Sequence, residues 1–148
     1  MLTLRLNGVD VQAEEGWTLL ETARFYGLPI PTLCYNEGLS PYGACRLCLV
    51  EIGEGENAKL VSSCTYPAEE GLVVRTHSKR VNQARKMVVE LLLATCPSSK
   101  TVQDLAASMG VQRTRFKVKH EDLYSLWVMC KDVCRADAGK SHRLCQSR

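Results

Sequence analysis

At 148 residues, 45% hydrophobic and 24% charged, the chain suits one moderate globular domain, or a small domain with an appended lobe, and excludes a disordered or fibrous protein. No basic segment followed by an apolar one opens it, and its greasiest run, MVVELLLATC, is broken by Glu90 and too short for a bilayer, so neither leader nor membrane insertion is expected and a cytoplasmic location is. The net charge of +3 hides an acidic half (5 Lys and Arg against 10 Asp and Glu in 1–77) and a basic half (14 against 6 in 78–148), which lacks the aromatic platform of a nucleic-acid binder and suits docking to an acidic protein surface or simple solvation.

In chain order, LTLRL and VDVQA alternate around Asn7-Gly8, the pattern of a β-hairpin with a type I′ turn. TLLETARFYG follows, with Thr18 and Glu21 spaced as a capping box and Gly27 as a helix stop. Pro29 and Pro31 force an extended segment into Cys34. RLCLVEI and KLVSSC predict two strands around the turn GEGEN, and GLVVRT a third. After His77 the period becomes helical: Ser78 caps a helix carrying Val81, Ala84, Val88, Leu91 and Leu92, and Pro97 ends it. KTVQDLAASMG predicts a shorter helix stopped by Gly110. Beyond it, Arg113, Arg115, Lys117 and Lys119 alternate as on an exposed strand or arm, either a solvated edge or a docking strip for a partner subunit, and residues 121–139 suggest a third helix or a loop-helix before a frayed end. The expected fold class is α+β, a small mixed sheet gripping one helix, with domains at 1–77 and 78–148.

Four cysteines fall as C-x10-C-x2-C-x15-C: Cys34, Cys45, Cys48 and Cys64. In a reducing compartment eight cysteines argue for metal rather than disulfides. Three thiols on one irregular loop and a fourth from a following strand suit a [2Fe–2S] site, in which a loop wraps the cluster and offers it backbone N–H groups. Gly38, Ser40, Gly43 and Ala44 give the small side chains that such an approach needs, and Arg46 adds positive charge. Structural zinc is the alternative, but it usually takes two short Cys-x2-Cys knuckles and one is present. Cys96 reads as a small hydrophobe at a helix end. His77, His120 and His142 carry no independent signal, and Trp17 and Trp127 read as packing residues.

The segments IPTLCYNEGLSPYGACRLCLVEI, VSSCTYPAEEGLVVRT and ARKMVVELLLATCP resemble the N-terminal ferredoxin-like domain of the large iron–sulfur subunit of NADH:quinone oxidoreductase. The same domain occurs in iron-only hydrogenases and in NAD-linked hydrogenase and formate dehydrogenase subunits. The resemblance implies a β-grasp ferredoxin-like domain with a mainly helical C-terminal extension, holding one [2Fe–2S] cluster on Cys34, Cys45, Cys48 and Cys64. It also implies loss of the family's [4Fe–4S] motifs. Cys96 stands where a ligand histidine would, and Tyr124 and Trp127 replace the first two cysteines of a four-cysteine run, leaving Cys130 and Cys134, with Cys145 further on.

No Gly-x-Gly-x-x-Gly, Walker or flavin pattern appears, so no catalytic site is expected. The resemblance implies an electron-transfer subunit between a flavin/NAD(P)H-oxidising subunit and another redox subunit, in a hydrogenase, formate dehydrogenase or bifurcating complex. A potential of about −400 mV would follow from likeness to plant-type clusters. A free soluble ferredoxin and a structural or assembly subunit are the alternatives.

Overall fold

The computed structural model describes residues 1–118. The expected third helix at 121–139, and with it Lys119, His120, Tyr124, Trp127, Cys130, Cys134, His142 and Cys145, lies outside the described residues.

Alternation at the N-terminus becomes an antiparallel hairpin of β1 (Leu2–Leu6) and β2 (Val9–Ala13), with Leu4 opposite Val11. Asn7 (φ 52°) and Gly8 (φ 88°) both take the left-handed region that a type I′ turn demands. Leu4, Leu6, Val11 and Ala13 turn inward, while Arg5 and Asp10 pair outside at 3.0 Å.

Helix α1 (Leu19–Phe25) starts where the sequence says it should. Thr18 Oγ1 accepts from the Glu21 N–H at 3.2 Å, and Glu21 Oε2 accepts from the Thr18 N–H at 2.7 Å. Both donors would otherwise be orphans of the first turn. Thr18→Ala is expected to cost about 1 kcal/mol, read as a lower urea midpoint at unchanged slope. An unmoved midpoint would mean that Glu21 caps the helix alone. Leu19, Leu20 and Ala23 pack from α1 onto the sheet.

The remaining strands are β3 (Leu49–Ile52), β4 (Lys59–Ser62) and β5 (Val73–Arg75). The sheet runs β2-β1-β5-β3-β4, with β1 and β5 parallel and the other pairs antiparallel. This is the expected α+β class, a mixed sheet around one helix. The strand predicted from RLCLVEI begins only at Leu49, because Arg46 holds φ 58°, a left-handed backbone that no strand accommodates.

Strand β3 is buried on both faces. Val50 and Ile52 join the core beneath α1, while the opposite face meets helix α2 (Lys79–Thr95). There Arg80 pairs with the buried Glu51 at 3.7 Å. Ser78 caps α2 by accepting from the Val81 N–H at 3.1 Å.

The buried face of α2 differs from the stripe read off the sequence. It comprises Val81, Arg85, Val89 and Ala94, with Val88 half-buried, while Leu91 is exposed. An apolar-only pattern skips Arg85, and so rotates the predicted face away from the observed one. Helix α3 (Lys100–Ser108) ends just before Gly110 and turns Val102 and Ala106 inward. A second core joins Leu47, Val89, Ala106 and Val111.

No strand forms at 113–117. Arg115 Nε instead donates to Glu90 Oε2 at 2.8 Å, tying the segment after α3 back to α2. His77 is exposed, with Nδ1 2.6 Å from Thr76 Oγ1. Among the described residues no helix is long and apolar enough to cross a membrane.

Candidate metal centre

The loop carrying the first two thiols leaves α1 through Pro29 and Pro31 and is held by a side chain that no spacing rule singles out. Arg24, in the last turn of α1, donates to Glu37 Oε1 at 3.0 Å and Thr32 Oγ1 at 3.4 Å. Its guanidinium carbon stands 4.6 Å from the centre of the Tyr35 ring, a cation–π contact. One residue thus clamps the loop on both sides of Cys34. A capping-box reading of α1 gives Arg24 no role beyond a favourable charge at the helix end.

Gly43 shows why small residues matter here. Its φ is +67°, and a Cβ would sit 3.0 Å from Thr65 Cγ2, so the loop lies directly against the turn bearing Cys64. Arg46 continues the left-handed path and donates from Nη1 to Ser62 Oγ at 3.0 Å, fastening the loop to the end of β4.

Cys64 itself sits in the turn just past β4 rather than within the strand that KLVSSC suggests. Ser63 pins that turn. Its N–H and Oγ both donate to the Cys48 carbonyl, at 3.1 and 2.8 Å, and its own carbonyl accepts from the Leu20 N–H at 3.0 Å. Helix α1 is therefore bonded to the turn that presents Cys64, and the turn to the residue that presents Cys48.

The four thiols converge as two pairs. Cys48 and Cys64 are buried with their sulfurs 3.3 Å apart, while the exposed Cys34 and half-buried Cys45 are in hydrogen-bonding contact. Burial disfavours the Cys45 thiolate, yet N–H groups of Leu47, Cys34 and Leu33 and the Cys34 thiol outweigh it and lower its pKa. Burial raises the Cys34 thiol, followed by contact with Cys45, against N–H groups of Cys45 and Ala44. Cys64 is pushed up to about 12, first by burial, then by contact with Cys48 and the charges of Cys48, Cys34 and Cys45.

Such a donor set fits an iron–sulfur cluster. Cys34 and Cys64, whose thiols burial and thiol contact push up, become thiolates beside positive charge of the kind that a cluster's irons would supply. Among the described residues no three His, Cys, Asp or Glu side chains converge as a single metal ion would need. Two pairs suit two metal ions better than one, which favours a binuclear cluster over structural zinc. Aimed amides at the loop pair supply the hydrogen bonds that thiolate sulfur needs.

The family model described as "2Fe-2S iron-sulfur cluster binding domain" matches residues 1–79. The chain is 35% identical over 112 residues to the NADPH-Fe(3+) oxidoreductase subunit alpha of Geobacter sulfurreducens, covering 76% of this chain and 13% of that protein. It is 36% identical over 107 residues to the mitochondrial NADH-ubiquinone oxidoreductase 78 kDa subunit of Candida albicans, covering 72% and 15%. A crystal structure of an NAD+-reducing [NiFe]-hydrogenase in the H2-reduced state has a chain that superposes with a TM-score of 0.71 at 30% identity, covering 82% of this chain and 54% of that one. These relatives bear out the resemblance read from the cysteine spacing, and the chain spans only a small part of the curated ones.

Proposed function

The chain belongs to the 2Fe-2S iron–sulfur cluster binding domain family, and from that premise we propose that Cys34, Cys45, Cys48 and Cys64 are the ligands of its cluster and that it relays electrons within a multisubunit oxidoreductase. A [2Fe–2S] cluster, when bound, takes up and gives back one electron at a time. Everything else falls to the chain's own residues. Cys48 and Cys64 anchor the site to β3 and the turn after β4, beneath α1. Cys34 and Cys45 hold its outer side, where the loop lies open to an incoming partner. Arg24 and Arg46 keep that loop in one conformation, so little reorganisation accompanies electron transfer.

The convergence of four thiols in two pairs, with amides aimed at the outer pair, carries this reading. The proposed partners are a flavin/NAD(P)H-oxidising subunit and a further redox subunit of a hydrogenase, formate dehydrogenase or bifurcating complex; the relatives' names, two of them subunits of oxidoreductases and one a hydrogenase, support the coarser class of multisubunit oxidoreductase. In this reading residues 1–77 are the cluster domain and 78–148 a basic extension, opened by α2 and α3, that contributes to docking. A cytoplasmic location goes with this reading, since thiolates that hold iron must stay reduced.

Iron and acid-labile sulfide analysis of the anaerobically purified chain, with EPR after dithionite reduction, tests the proposal. About two irons and a rhombic signal persisting at relatively high temperature are expected for one [2Fe–2S] cluster. Additional iron with a fast-relaxing signal would point to a second cluster on Cys130, Cys134 and Cys145. Absence of iron would leave a structural or assembly role. Co-elution with other redox subunits, against migration alone, separates a complex subunit from a free ferredoxin.

A further inference from the structure

Arg85 is a charge in the wrong place by any amphipathic rule. It lies mid-way along α2 and is 4% exposed. Its Nη2 donates to the Leu49 carbonyl at 2.6 Å, and its Nε is buried with no hydrogen-bond partner among the described residues. No carboxylate pairs with it among the described residues, whereas Arg80, one turn earlier, has Glu51. Burial weakens its hold on the proton, and the Cys48 thiolate strengthens it.

A buried guanidinium without a counter-charge is among the costliest groups a fold can hold. Its position explains why it is kept. Leu49, whose carbonyl it grips, directly follows Cys48, and Leu47, directly before, packs in the same second core as Val89 of α2. Arg85 therefore stands on the protein side of the Cys48 ligand, where water is excluded and a charge acts at reduced dielectric. Two ferric ions do not balance two sulfides and four thiolates, and an added electron widens the deficit.

We propose that Arg85 is a positioning residue that sets the reduction potential of the cluster: its buried positive charge, fixed by the Leu49 carbonyl, stabilises the reduced state. This role depends on Cys34, Cys45, Cys48 and Cys64 being the cluster ligands. The electron comes from a reduced flavin or iron–sulfur partner, and Arg85 exchanges neither bond nor proton. Arg46 is also near the site but exposed, so solvent screens it.

Redox titration of the full chain followed by EPR, for wild type and the variants R85K, R85Q, R85M and R46Q, tests the inference. R85K is expected near wild type. R85Q and R85M should be reduced less readily by about tenfold in equilibrium constant, about 59 mV for a one-electron couple, with R46Q shifted less. Loss of iron from R85Q and R85M, with R85K loaded, would overturn the inference by making the charge a requirement for holding the cluster rather than a determinant of its potential. Equal potentials in fully loaded variants would overturn the inference, as would loss of iron from all three Arg85 variants, which would make the residue a packing element. A wild-type chain without iron would instead overturn the ligand assignment and this inference with it.

Discussion

Replacing Cys48 with alanine is expected to abolish the visible absorption of the anaerobically purified protein and to remove its iron. Cys48 is where the proposed ligands meet the frame: its sulfur lies 3.3 Å from that of Cys64, and its carbonyl takes two hydrogen bonds from Ser63. The backbone bonds survive the substitution, so the folded sheet should persist and only the donor set be broken. Two urea titrations separate these effects. After chelation, wild type and variant should differ by about 1 kcal/mol, the loss of one small buried side chain. Before chelation the gap should be several times larger, because metal bound only by the folded state adds its binding free energy to stability. A variant that kept a wild-type spectrum would overturn the ligand assignment.

The second large effect is expected at Leu47, whose side chain is no proposed ligand. It is completely buried, lies between Cys45 and Cys48, and packs with Val89, Ala106 and Val111. Truncation to alanine leaves a cavity that the surrounding helices fill only in part, at about 2–5 kcal/mol. Denaturant titration measures the loss, and amide exchange locates it: protection should fall along α2 and α3 while the β1–β2 hairpin keeps its own. Bound iron should be released faster, since Leu47 ties the loop to those helices. A midpoint within about 0.5 kcal/mol of wild type would mean that the loop and the helical layer are energetically separate.

Much of the frame is legible in the amino-acid order alone. The Asn7-Gly8 turn, the Thr18–Glu21 box, the Ser78 cap and the Gly110 stop are local devices whose chemistry is complete within a few residues. The cysteine spacing marks the site, because ligands must come from a limited stretch of loop. What stays hidden depends on contact between distant segments. Arg85 scores as polar at the helix position that faces the sheet, so periodicity favours Leu91 and misses the buried arginine. Arg24 is an ordinary helix-end cation until Tyr35 and Glu37 fold back over it. KLVSSC continues an apolar pattern through Cys64, whereas Ser63 bends the chain to bond both Cys48 and Leu20. The alternating cations at 113–117 have the pattern of a strand, but an exposed segment beside Glu90 gains more from a charge pair than from an unpartnered edge.

The parallel pairing of β1 with β5 bears on how the chain is made. Arg5 lies opposite Val73 and Leu6 opposite Val74, so β1 cannot complete its hydrogen bonds until β5, well over sixty residues later, arrives. Closing so long an interval is slow, since the entropy of the whole intervening chain is lost before the contact is made. All four thiols are present by residue 64, yet β3 has no neighbour on its β5 side until residues 73–75 emerge. A nascent chain that ends in that interval carries every cysteine of the site on an unfinished sheet. Synthesis thus opens a window in which the thiols are exposed to oxidant and mismatched metal, and that window ends only when β5 docks.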